Sequence, residues 1–267
     1  VTGERLVVVH ADKQVLADST AARLLTTLHE VLAEYGGATV VLTGGSMGEA
    51  VLAAVSASPA RDSLDWSVVH FWWGDERWLP RGDAERNETQ ARAALLDALV
   101  AAHDLDGSTI HPFPASDDGI DLDAAAEVYA AELRSFGLKG APYPPLDIVF
   151  LGVGPDGHIA SLFPEKSGIR ETERTVVAVR NSPKPPPERV SLTLPVINSS
   201  HRAWIVMAGS DKASALGLTL AGASKDQVPA AGVDARDSTL FLVDLDASTE
   251  VPESLMATEL FWTADDE

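Results

Sequence analysis

The sequence predicts an α/β fold: a mainly parallel sheet with helices on both faces, with all 267 residues in a single domain. This expectation has three sources. Short apolar runs rich in Val, Ile and aromatic residues recur along the chain, the pattern of strands buried on both faces. Segments of helical periodicity separate them, as the crossovers of a parallel sheet require. No linker rich in polar residues and no internal repeat divides the chain.

The elements can be placed from the N-terminus onward. Residues 5–10 (RLVVVH) read as a strand. Over 15–34, Val15, Ala21, Leu24, Leu25, Leu28, Val31 and Leu32 recur at helical spacing until Gly36 and Gly37 stop the helix. Ala38–Leu42 (ATVVL) is a second strand, running through Thr43, Gly44, Gly45 and Ser46 into a helix from about Met47 to Ser56. Residues 66–73 (WSVVHFWW) form a third strand, ending in a polar loop of Gly74, Asp75, Glu76 and Arg77. After a loop over 80–85, Asn87 reads as the cap of a helix. The acidic run 117–123 (DDGIDLD) misses the EF-hand spacing and its closing Glu. It reads as a loop in which Asp121 or Asp123 caps a helix over 124–136. Later strands are 147–151, 175–180, the VSLTL run after Arg189, 202–208 and 239–243. The proline-dense 182–187 (SPKPPP) is an extended loop. Ser210 or Asp211 caps a helix over 213–221, and the acidic end after Asp265 is expected to fray.

Composition narrows the function. No run of about 18 apolar residues occurs, so no membrane span is expected. Residues 1–10 lack a secretory pattern. Absence of cysteine excludes disulfides, thiolate catalysis and Cys-zinc sites, and suits a cytoplasmic setting. A formal charge of −20 argues against nucleic acid and anionic lipid as partners. It also means that an anionic substrate needs a local gathering of the few Lys and Arg.

The stretch 146–164 (LDIVFLGVGPDGHIASLFP) organises the rest. A buried strand drops into Gly152, Gly154, Pro155 and Gly157 and delivers Asp156 and His158 to the carboxyl edge of the sheet, where open α/β folds bind ligands. The three glycines fit G-x-G-x-x-G, a dinucleotide fingerprint. Pro164, seven residues after Gly157, leaves at most about two turns of the helix that fingerprint needs beneath the pyrophosphate. The turn Gly44, Gly45, Ser46 reads either as a phosphate cradle at a helix N-terminus or as a plain turn with Ser46 as cap. Arg77 is either a phosphate-binding fork or a partner of Asp75 or Glu76. Lys212, in the first turn of a helix, is either a surface lysine or a cation placed for a bound anion. The other six histidines show no pairing and no metal-ligand spacing.

GVGPDGHIASLFP, together with FWWGDERWLP, VVLTGGS, RVSLTLPVINSS and GSDKASAL, resembles the 6-phosphogluconolactonases in sequence and in order. The resemblance implies a Rossmann-like fold shared with glucosamine-6-phosphate deaminases and ribose-5-phosphate isomerase. It implies hydrolysis of 6-phospho-D-glucono-1,5-lactone in the oxidative pentose phosphate pathway, without metal or organic cofactor. The sibling deaminases resemble D-G-H-I-A-F-N-E-P. This chain shares Ile159 with them but continues Ser161, Leu162, Phe163, Pro164, so the Asn-Glu pair is absent.

The reading that results has His158 as general base, with a carboxylate, Asp156 or Asp75, orienting the imidazole. Gly44, Gly45, Ser46, Arg77, Arg189 and Lys212 would hold the phosphate. The partner is then a small phosphosugar lactone, and the chain a monomer or weak dimer. A phosphosugar deaminase or isomerase, and a non-catalytic nucleotide or sugar-phosphate binder, are the competing classes.

Overall fold

A computed structural model describes residues 4–251; the expected fraying after Asp265 lies outside the described residues. Six parallel strands form the main sheet: β1 (Glu4–His10), β2 (Ala38–Leu42), β3 (Val69–Trp73), β5 (Ile148–Gly152), β8 (Arg202–Met207) and β9 (Ser238–Asp244). Their order is β1-β9-β8-β5-β2-β3. A second, antiparallel sheet joins β4 (Asp75–Arg77), β6 (Val176–Val179) and β7 (Arg189–Leu192), with β7 in the middle. Helices α1 (Lys13–Tyr35) and α2 (Gly45–Ala57) pack on each other and on the main sheet, and α5 (Leu122–Ser135) packs on β6 and β7. Shorter helices are α3 (Asn87–Ala91), α4 (Asp97–Ala101), α6 (Ser167–Arg170), α7 (Leu194–Asn198) and α8 (Ala213–Leu220).

The apolar runs form strands because both of their faces are covered. Ile148, Val149, Phe150 and Leu151 of β5 are all buried, as are Ala203 to Met207 of β8. Each large apolar side chain among them contributes about 1.5–3 kcal/mol on burial. Helix α1 starts where the Asp12 carboxylate accepts the Val15 N–H at 2.8 Å. It ends at Gly36, whose left-handed φ of 75° suits glycine. Asp121 caps α5, one of the two residues expected there. One apolar cluster runs through both sheets.

Several local expectations are corrected. The third strand begins at Val69, because Asp65 caps a 3-10 turn over Trp66–Val68. Asp75–Arg77 is not loop but β4, paired with Arg189–Ser191. Asn87 does not cap its helix: the Glu76 carboxylate accepts the N–H groups of Asn87 (2.7 Å) and Glu88 (2.9 Å) instead. Burial pushes Glu76 up to about 7, against the pull of Arg86 and of three backbone N–H donors. Neither Ser210 nor Asp211 caps α8; a 3-10 turn, Ser210–Lys212, leads into it from Gly209, whose N–H is held by Asp244.

Candidate active site

Because the main sheet is parallel, the carboxyl ends of β2, β3, β5 and β8 share one edge. A cavity of about 330 Å³ opens there. Gly44, Gly45, Ser46, Asp75, Arg77, His158, Arg189 and Lys212 all border it, so the expected phosphate-binding residues and the expected base are brought together.

The turn after β2 is not capped by Ser46. The first residue of α2 is Gly45, preceded by Gly44 with no side-chain cap, and Ser46 is already inside the helix. The first turn carries no acidic residue. The Gly45 N–H donates to Gln90 Oε1 at 3.2 Å, and Gly45, Ser46 and Met47 of the first turn border the cavity. Gly45 sits at φ 81°, in the left-handed region. A side chain on Gly44 would overlap the Asn87 amide.

The loop after β5 is built differently. Its start is tied to the first turn, the Gly152 N–H donating to Thr43 Oγ1 at 3.2 Å. It opens no helix but folds back through bridges Val153↔Ile159 and Ile159↔Leu162. That removes the structural basis of the dinucleotide fingerprint. Within the fold-back, His158 Nδ1–H donates to Asp156 Oδ1 at 2.5 Å, which leaves Nε2 as the ring's basic lone pair. Lys184 Nζ lies 3.6 Å from the same carboxylate oxygen. Burial raises Asp156, but the hydrogen bond from His158 and the charge of Lys184 outweigh it and hold the carboxyl well below the usual range. The Phe163 ring lies 4.5 Å from the imidazole at 32°. The His158 side chain is 13% exposed and borders the cavity. A methyl group on Gly154 would overlap both the imidazole and the Asp156 carboxylate, so the pair depends on that glycine.

Of the two candidate carboxylates, Asp156 therefore contacts the imidazole. Asp75, buried, accepts from Ser161 Oγ (2.7 Å) and Asn87 Nδ2 (3.2 Å) and lies 4.0 Å from Arg189. It is bonded to the walls of the cavity rather than to the imidazole. Arg77 makes no side-chain ion pair with Asp75 or Glu76 among the described residues. One of its terminal nitrogens donates to the Glu85 carbonyl, and its buried Nε has no partner. Arg189 donates to the carbonyls of Lys184 (3.3 Å), Pro185 (3.0 Å) and Pro186 (3.2 Å). Burial lowers its pKa. Its main visible work is to clamp the proline loop, a role its sequence position does not announce. Lys212 reaches the cavity while paired with Asp211 at 2.9 Å.

Two residues at the cavity escape the sequence reading. Lys184 stands alone as a cation in a proline run, and that oddity is the available signal. Asn87 has the look of a cap; its amide nitrogen instead donates to Asp75, and its amide oxygen, buried without a hydrogen-bond partner, lies against Gly44. The expectation that the other histidines do not pair also fails. His70 Nδ1 and His111 Nε2 lie 2.9 Å apart, and His111 Nδ1 lies 2.8 Å from Glu132. Among the described residues no cluster of three or more His, Asp or Glu has the arrangement of a metal site. No helix there is long and apolar enough to cross a membrane.

Comparison with known proteins gives this arrangement a family. The family described as glucosamine-6-phosphate isomerases/6-phosphogluconolactonase matches residues 11–242, and the chain belongs to it. A 6-phosphogluconolactonase of Streptomyces coelicolor is 51% identical over 252 residues, 93% of this chain and 95% of that protein. One of Mycobacterium tuberculosis is 43% identical over 246 residues, 91% of this chain and 97% of the relative. Among solved structures, the 6-phosphogluconolactonase of Leishmania guyanensis matches with a TM-score of 0.79 at 25% identity, over 93% of this chain and 99% of that one.

Proposed function

We propose that the protein hydrolyses 6-phospho-D-glucono-1,5-lactone to 6-phosphogluconate, a step of the oxidative pentose phosphate pathway. The observation that carries this reading is the meeting, in one cavity, of the Asp156-oriented His158 with an uncapped helix N-terminus, Arg77 and Lys212. The high identity to curated lactonases supports it.

The phosphate would lie against the Gly44–Ser46 turn, Arg77 and Lys212, where Arg77 Nε still has a donor to give. That remote grip orients the ring over His158. His158 Nε2 takes a proton from water as the water oxygen bonds to C1. The carbonyl electrons move onto its oxygen and return as the bond from C1 to the ring oxygen breaks. The imidazolium gives its proton to that ring oxygen, and the new acid ionises to the carboxylate. Asp156 holds the Nδ1–H throughout and steadies the imidazolium. General-base help of this kind contributes about 10²–10⁴-fold.

The deaminase reading is disfavoured by one contact. Phe163 stands where the deaminase pattern has its Glu, so an aromatic ring, not a carboxylate, lies against the imidazole. The test is a coupled assay. Lactone made in situ from glucose 6-phosphate should disappear faster than its spontaneous rate, with no ammonia released from glucosamine 6-phosphate; the reverse outcome rejects the assignment. We further read the chain as a single cytoplasmic catalytic domain, monomeric or weakly dimeric, a reading that the shared apolar core of the two sheets supports in its first part.

A further inference from the structure

A second cavity, of about 340 Å³, matches the catalytic one in size. It is bordered by Ser161 and Phe163, whereas His158 and Ala160 of the same segment border the catalytic cavity. The segment is thus a shared wall. Across it, Phe163 packs on His158 and lies under the Arg189 guanidinium at 5.6 Å, and Ser161 bonds to Asp75. The proline loop makes a second connection. Ser182 borders the second cavity, while Lys184 and Pro185 border the first, and the Ser182 hydroxyl donates to the Lys184 carbonyl at 2.8 Å.

The charge of the second cavity is out of keeping with the chain. In a protein of formal charge −20, Lys166, Arg174 and Arg180 all border it. Arg180 is committed to Asp123 through two bonds of 3.0 and 2.7 Å. Glu171, the other acid there, is occupied by the N–H groups of Thr172, Glu173 and Arg174, which hold it below its ordinary pKa. The Lys166 ammonium and the Arg174 guanidinium have no ion-pair partner among the described residues. Two uncommitted cations on a cavity of this volume match a dianionic head carried on a small organic body.

We propose that this cavity is a second, regulatory site for a small phosphomonoester, coupled to the catalytic cavity through Phe163 and the 182–187 loop. The binding half stands without the lactonase reading; the kinetic half rests on it. Glucose 6-phosphate is the probe, titrated by calorimetry into the wild type, Arg77→Ala and Lys166→Ala/Arg174→Ala. The wild type binds two equivalents. Arg77→Ala keeps the second site, and the double variant loses it, with affinity there weakened at least about tenfold. In lactone hydrolysis the probe then shows a non-competitive component in the wild type that vanishes in the double variant, whose rate without probe stays within about twofold of wild type. One equivalent in the wild type that Arg77→Ala loses, or two in the double variant, overturns the site. Two equivalents with purely competitive kinetics overturn the coupling. If neither protein hydrolyses lactone while two equivalents bind, it is the proposed reaction that fails, and the coupling with it.

Discussion

Two glycine-rich turns leave neighbouring strands of one sheet, β2 and β5, and do opposite things. The turn after β2 opens a 13-residue helix with no side-chain cap, and brings the start of that helix to the cavity. The turn after β5 opens no helix, closes on itself through two isolated bridges, and offers side chains, His158 backed by Asp156. Glycine serves each differently. Gly45 is needed for a left-handed φ in open space, whereas Gly154 is needed because any side chain would occupy the place of the imidazole and its carboxylate. A strand ending in glycine thus announces an edge site. Whether a helix or a fold-back comes after the glycine decides if a helix start or a backed side chain is brought to that edge.

Breaking the β5 loop should cost most. Gly154→Ala displaces the imidazole or the carboxylate, and kcat should fall by about 10²–10⁴-fold with the circular dichroism spectrum unchanged. Asp156→Asn keeps the imidazole but loses the acceptor that fixes its tautomer; a fall in kcat of about 10²-fold is expected, with KM little altered. Breaking the anion seat should act on binding instead. Arg77→Ala should raise KM for the phosphorylated lactone by about 10–100-fold with kcat nearly unchanged, and leave an unphosphorylated lactone unaffected. Gly45→Ala imposes a left-handed backbone on alanine and should cost about 1–2 kcal/mol in urea denaturation.

The smallest effect separates the two turns by pH. Asp156 is held below the ordinary carboxylate range, so the folded protein releases that proton more readily than the unfolded chain. Its stabilisation is complete above the unfolded value of about 4 and is lost as pH falls through the depressed folded value. The Tm difference between wild type and Asp156→Asn should therefore be widest near neutrality and narrow in acid, while that of Gly45→Ala should not change with pH.

Features that depend on neighbours along the chain were legible in the sequence. The strands at β2, β5, β8 and β9 are apolar runs, and the glycines mark the ends of β2 and β5. The residues at the edge were legible too, because a parallel sheet sends every such end to one side. Features that depend on contacts across long separations were hidden. Glu76 caps a helix that begins eleven residues later, leaving Asn87 free to hold Asp75. The polar tripeptide Asp75–Arg77 becomes a strand only because Arg189–Ser191 lies beside it. Lys184 reaches Asp156 because Arg189 clamps the carbonyls of its loop, a grip no local pattern encodes. His70 and His111 meet across 41 residues for the same reason.

The proposed division of labour between the turns comes down to one residue: on that reading the imidazole on the β5 loop moves the proton, while the β2 turn only holds the substrate. Steady-state kinetics of His158→Ala on the phosphorylated lactone probe this without intermediaries. A kcat lower by about 10²–10⁴-fold is expected, with KM within a few-fold of wild type and a native fold; an unchanged kcat in a folded variant would contradict it.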